Sequence, residues 1–197
     1  MTHSDIRVAT RDDATAVAAL IGESFRDLAV STWLVPDSFV RQRVLTGNFQ
    51  IIVESALDNG EVHLVGATAA AVWFHGPPPE PPDYRARLEA ACAPYTSRFR
   101  TLDSAFEDHH PISAPHHYLA FLATRPGHRD RGLGSALLNH HHARLQLAGI
   151  PSYLEATSSD AARLYHRHGY RYLGNRFHLP DDGPPLWPMW RDPADSR

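Results

Sequence analysis

The stretch HYLAFLATRPGHRDRGLGSALL, residues 117–138, decides the reading of this chain. Residues 117–124 are a nearly continuous apolar run, as a buried central strand presents. RPGHRD (125–130) is a polar loop. From Gly132 the pattern turns helical, with Leu133, Leu137, Leu138, Leu145 and Leu147 apolar and a helix stop at Gly149. A strand thus feeds a helix N-terminus through a loop with two glycines. The first backbone N–H groups of a helix lack internal partners, and the helix dipole adds partial positive charge there, which makes an anion site. Gly132 and Gly134 remove side chains that would hold a phosphate off the backbone. Arg129 and Arg131 add charge, and Ser135 adds a hydroxyl donor. The local reading is a pyrophosphate seat.

Several phosphate-binding classes are excluded by residue type. The chain has 19 basic residues, all arginine. A Walker loop requires its Lys, and Leu133 stands where it would follow Gly127 and Gly132; a pyridoxal enzyme also requires a Lys. A dinucleotide fingerprint would have a third glycine where Leu137 stands. Net charge is −3, without the basic excess of a nucleic-acid surface. One cysteine, Cys92, excludes an internal disulfide and a Cys-rich zinc site. No apolar run approaches the roughly 20 residues that span a bilayer, and residues 1–13 lack a secretory signal pattern. The expectation is a cytoplasmic protein of one domain, 1–197, acting as a monomer or homodimer.

The remaining elements follow from periodicity and turn residues. Residues 6–10 read as a strand, and Thr10 or Asp12 caps a helix with Val17, Leu20, Ile21 and Phe25 on its apolar face. A second helix is expected over roughly 38–56, then a DNGE turn (58–61) and strands at 62–66 and 68–75. After the proline-rich loop 76–83, one helix is expected over about 84–109. A strand at 151–157, a short helix at 159–168 ended by Gly169, and antiparallel strands at 170–179 and 185–190 complete the chain. The fold class is α/β (α+β), with a mixed, mostly antiparallel sheet and helices on both faces.

Arg129-x-x-Gly132-x-Gly134 after an apolar strand resembles the R/Q-x-x-G-x-G/A signature of GNAT (GCN5-related) N-acetyltransferases. Ala161, Leu164, Tyr165, Gly169 and Tyr170 resemble that superfamily's A-x-x-L/F-Y-x-x-x-G-F/Y helix, in the correct order. HHYLAFL is similar to the H-x-Y-L start of the fourth strand in the puromycin N-acetyltransferase-like branch. The resemblance implies a sheet splayed between its fourth and fifth strands, with acetyl-CoA in the gap. It implies that the backbone of Leu122, Ala123 and Thr124 pairs with the pantetheine arm, the Leu122 N–H serving as oxyanion donor. The backbone amides of Arg129, Asp130, Arg131, Gly132, Leu133, Gly134 and Ser135 would hold the pyrophosphate. Ser158 stands where the family often has Asn, and is a candidate coenzyme contact.

Tyr165 is the implied general acid, because a phenol stays protonated at neutral pH and can protonate a departing thiolate. Glu155 and His116 are the two candidate general bases, with Tyr118 sharing the strand face of His116. Three consecutive histidines, 140–142, fan around a helix and cannot converge on one ion, so no metal site and a solvated histidine face are expected. The acceptor side is expected to use 29–39, 72–78, Tyr95, Phe99 and 187–190, with Trp33 and Phe74 as an aromatic wall and Asp37 or Glu107 as an acidic anchor. The implied activity is acetyl-CoA-dependent transfer to a primary amine, most simply of a small, even antibiotic-like, molecule. The alternatives are a protein or peptide N-acetyltransferase, or a non-catalytic acyl-CoA-binding regulatory module. Neither nucleic acid nor membrane is an expected partner.

Overall fold

Two helix starts and a proline break set the first half of the chain. The computed structural model describes residues 5–112 and 114–193. β1 (Ile6–Val8) leads through a tight turn, in which Asp13 accepts from the Thr10 N–H at 2.8 Å, into α1 (Ala14–Phe25). A short α2 (Ala29–Leu34), which the sequence reading treated only as part of the acceptor side, precedes Pro36. Asp37 then caps α3 (Ser38–Asn59) by accepting from the Phe39 N–H at 2.9 Å. Asp58 and Asn59 belong to α3, so the DNGE segment is a helix end and β2 (Gly60–Val65) follows at once. β3 is Ala69–Phe74. The helix expected over 84–109 is two, α4 (Tyr84–Cys92) and α5 (Thr96–His109). Pro94 has no N–H to continue the ladder, which ends α4 before it.

β4 (His117–Thr124) has the expected limits, and α6 (Leu133–Ala148) follows. Gly149 ends α6 at φ +67°, with the Ile150 N–H closing back on the Leu145 carbonyl at 3.0 Å. β5 (Ser152–Ala156) and α7 (Ser159–Arg167) come next. The strand expected over 170–179 is two short pieces, β6 (Arg171–Tyr172) and β7 (Phe177–His178), both antiparallel to β8 (Pro185–Arg191). The path between them holds Gly174 at φ +70°, which turns the chain out of strand geometry.

The sheet order is β1-β2-β3-β4-β5-β8-β6, antiparallel except for the β4–β5 pair. That parallel pair holds only at His117 with Ser152 and Tyr118 with Tyr153. Beyond it the two strands run on unpaired and part. β4 also slips against β3: Val72 faces Phe121 while Trp73 faces Leu119, leaving Ala120 as a bulge. The bulge reverses the alternation. Tyr118, Phe121 and Ala123 join the core under α1 and α3, and Leu119 and Leu122 join the second core under α6 and α7. Among the described residues no helix is long and apolar enough to cross a membrane.

The expectation of a solvated histidine face on α6 is corrected. His141 is 0% and His142 5% exposed. His141 stacks on Trp73 at 4.0 Å, and His142 meets the Tyr170 hydroxyl at 3.0 Å. α6 lies flat on the sheet, so two of three consecutive positions fall inside its buried face.

Candidate active site

Where β4 and β5 part, a cavity of about 570 Å³ opens. β4 contributes Leu122 and Thr124 to its wall. The loop and start of α6 contribute Arg129, Asp130, Gly132, Leu133, Gly134 and Ser135. Ser158 and Tyr165 close it from the side of α7. Residues that the sequence placed in two separate motifs therefore meet around one space. Ala123 faces the opposite core, Arg131 is exposed outside the wall, and Glu155 and His116 do not line it.

The floor of the cavity is the beginning of α6. Its first intrahelical bond is from the Ala136 N–H to the Gly132 carbonyl at 2.9 Å, which leaves the Leu133, Gly134 and Ser135 N–H groups without intrahelical acceptors. Gly132 holds φ +76°, a conformation a side chain resists, and a Cβ there would meet nothing within 4 Å. The positive φ, and not protein packing, is therefore what calls for glycine at this position. At Gly134 a Cβ would lie 3.5 Å from a Leu122 methyl, an ordinary contact.

The polar side chains have prior commitments. The Arg129 guanidinium donates to the Ser24 carbonyl at 2.8 Å, tying the loop to the end of α1. Ser135 Oγ lies 3.0 Å from His168 Nε2, whose ring is anchored by Asn139 Oδ1 at 3.0 Å. With the His168 Nδ1–H directed to Asn139, Ser135 donates its hydroxyl to His168 and offers a ligand its backbone N–H. Ser158 caps α7, accepting from the Ala161 N–H at 3.1 Å, so its oxygen is used while its proton is free. Ser24, Phe25 and Leu28 at the end of α1, with His128 and Arg167, also line the cavity. Nothing in the local sequence marks these five; they reach the cavity through the Arg129 tie and the turn of α7.

Tyr165 is 9% exposed on the cavity wall, with its ring edge-on to Tyr170 at 5.8 Å. Burial raises its pKa well above the ordinary phenol value, so it stays protonated throughout the neutral range. Glu155 lies on β5 among Tyr153 and Tyr118. Burial pushes its carboxyl up to about 7, against the opposing effect of the two tyrosine hydroxyls. Its Oε1 is buried without a hydrogen-bond partner. His116 is 3% exposed, and both its nitrogens are engaged: Nδ1 with the Ala114 carbonyl and Nε2 with His110 Nε2, each at 2.9 Å.

The acceptor-side expectations are only partly met. Phe74 and Phe99 are core, at 1% and 2% exposure, so Phe74 is not a wall. Trp33 is partly exposed, donates its Nε1–H to the Pro180 carbonyl at 3.1 Å and lies 5.5 Å beneath the Arg98 guanidinium. Asp37 is spent as the α3 cap. Glu107 lines a separate cavity of about 610 Å³ between α4 and α5.

Known proteins share this fold. Residues 100–172 match a family model described as an acetyltransferase (GNAT) domain. A Corynebacterium glutamicum structure titled histone acetyltransferase HPA2 and related acetyltransferase is 30% identical, with 96% of each chain covered and a TM-score of 0.73. The Drosophila melanogaster polyamine N-acetyltransferase shares the fold at 19% identity and TM-score 0.61, covering 95% of this chain and 100% of that one. The paia N-acetyltransferase of Thermoplasma acidophilum, solved in complex with coenzyme A, shares it at 11% identity and TM-score 0.57, over 95% and 98% of the chains. The strand splay, the glycine-lined helix start and these matches agree: the chain belongs to the GNAT family of N-acetyltransferases.

Proposed function

We propose that this chain is one catalytic domain that moves an acetyl group from acetyl-CoA directly to a primary amine of a small molecule. The observation that carries the reading is the cavity itself, since a parted strand pair, unpaired helix N–H groups and a protonated phenol face one space. The amides of 129–135 seat the pyrophosphate, and the free edge of β4 at Leu122, Ala123 and Thr124 pairs with the pantetheine arm. Ser158 lends its free hydroxyl proton to the coenzyme. The Leu122 N–H faces the carbonyl oxygen as charge develops on it.

The chemical step needs two proton transfers. The neutral amine attacks the thioester carbon, the C–S bond breaks, and the sulfur leaves with the bonding pair. Tyr165 gives its proton to that sulfur and regains one from solvent. The proton lost by the attacking nitrogen goes to Glu155 through water, since Glu155 stands behind the cavity wall. Glu155 is favoured over His116 because its carboxyl is poised at about 7 with one unpartnered oxygen, whereas both His116 nitrogens are engaged.

A small amine is favoured because the fold is shared with a polyamine N-acetyltransferase; Trp33, pinned to the Pro180 loop with the Arg98 guanidinium of α5 over its ring, is the aromatic side chain held fixed on the expected acceptor side. The name of the 30% identical relative supports a second reading, in which the amine belongs to a protein or peptide. A thiol-release assay with acetyl-CoA over a panel of amines, polyamines and peptides decides. Small-amine turnover supports the proposal; turnover of peptides alone moves it to the second reading. Coenzyme binding without thiol release on any acceptor makes the chain a non-catalytic acyl-CoA-binding module.

A further inference from the structure

On the α6 face of the sheet, away from the β4–β5 gap, lies a second cluster of reactive side chains. One ligand-type atom from each of Glu61, His63 and His141 falls within 4.8 Å of the other two. Glu61 and His63 share a face of β2, two residues apart, and His141 comes down on them from α6. Both histidines are 0% exposed, and each leaves its Nδ1 buried without a hydrogen-bond partner. His117 extends the cluster, with Nδ1 3.0 Å from His141 Nε2; Glu61 Oε2 is likewise 3.0 Å from His63 Nε2. The two 3.0 Å spacings are close to the edge, about 3.3 Å, of a ligand tetrahedron with zinc bonds of 2.0–2.1 Å, and the wider spacing across the trio, up to 4.8 Å, must close around an ion.

We propose that Glu61, His63 and His141 bind a divalent transition-metal ion, with His117 at the edge of the site. Two imidazoles and a carboxylate suit Zn²⁺ best among common ions, with water or His117 completing the coordination. Arg144 is the group the ion must displace, since its guanidinium now holds Glu61, with Nη2 donating to Oε1 at 2.8 Å. Its side chain is 54% exposed and free to withdraw into solvent. A bound ion would fasten β2 to α6, the helix whose start floors the coenzyme cavity, and would take no part in acetyl transfer.

The test is a calorimetric titration of ZnCl₂ into chelator-stripped, tag-free protein, with circular dichroism as the folding check. The proposal expects one equivalent bound, at least tenfold weaker binding in Glu61→Gln and His141→Asn, and tighter binding in Arg144→Ala. No binding by the wild type overturns it. So does binding unchanged by Glu61→Gln and Arg144→Ala, which would place the ion on other histidines. If His141→Asn does not fold, those two variants decide, because Glu61 and Arg144 both retain solvent contact. Coenzyme titration of the same samples keeps this outcome separate from that of the acetyltransferase reading.

Discussion

The roles proposed for Tyr165 and Glu155 carry opposite protonation demands, and burial serves both. The phenol is held protonated and the carboxyl is lifted to about 7. Tyr165→Phe keeps the ring packing on Tyr170 and loses only the hydroxyl, and with it the proton to be donated. Steady-state kinetics should show kcat falling on the order of 10²-fold or more, with acetyl-CoA affinity nearly unchanged; an unchanged kcat removes Tyr165 as the acid. Glu155 also makes stability depend on pH. Below its ordinary value of 4.5 the carboxyl is protonated in both folded and unfolded chains, and between 4.5 and about 7 the unfolded chain releases a proton that the fold retains. Stability from this group is therefore lost as pH rises through that window. Glu155→Gln, neutral at every pH, should gain in melting temperature relative to wild type from pH 4.5 to 7. A constant difference across the window contradicts the buried carboxyl. In activity, the same variant should lose the acidic limb of the pH–rate profile. Tyr165 was legible because the motif fixes its place on a short helix. The raised value of Glu155 was legible too, as a carboxylate inside an apolar strand; what was not legible is the opposing pull of the Tyr118 hydroxyl, brought beside it from another strand.

At the scale of elements, the strand and helix limits around the cavity were readable from the chain, and the breaks elsewhere were less so. β4 and α6 stand where apolar runs and glycines placed them. The split of α4 from α5 at Pro94 was overlooked against a continuous helical pattern. The bulge at Ala120 leaves no mark in an all-apolar strand, yet it turns Leu122 onto the cavity wall. Histidine polarity hid the burial of His141 and His142, because Trp73 and the Tyr170 hydroxyl that accept them come from distant elements. Two substitutions test these elements. Ser158→Ala removes the cap of α7 and should cost about 1 kcal/mol in urea unfolding. Gly132→Ala forces a side chain into φ +76°; it should cost about 1–2 kcal/mol and weaken coenzyme binding. Full stability in Gly132→Ala would mean that the loop relaxes and that its left-handed geometry is not required.

The whole molecule is two cores on either side of one sheet, with the cavity at the strand gap between them. A ligand there touches the end of α1, the edge of β4, the start of α6 and α7, so it links both layers. At a hundredfold excess over its Kd such a ligand adds about 2.7 kcal/mol, which for a chain of this size corresponds to a rise of roughly 5–10 °C in Tm.

The most direct test is a calorimetric titration of acetyl-CoA into the wild-type chain and into Gly134→Val, whose added side chain would meet Leu122 and Leu164 on the cavity wall beside the unpaired N–H groups, with circular dichroism as the folding check. The account predicts one molecule bound by the wild type and at least tenfold weaker binding by the variant. No binding at millimolar acetyl-CoA, or equal affinity in a folded variant, would contradict the assignment of residues 129–135 as the pyrophosphate seat.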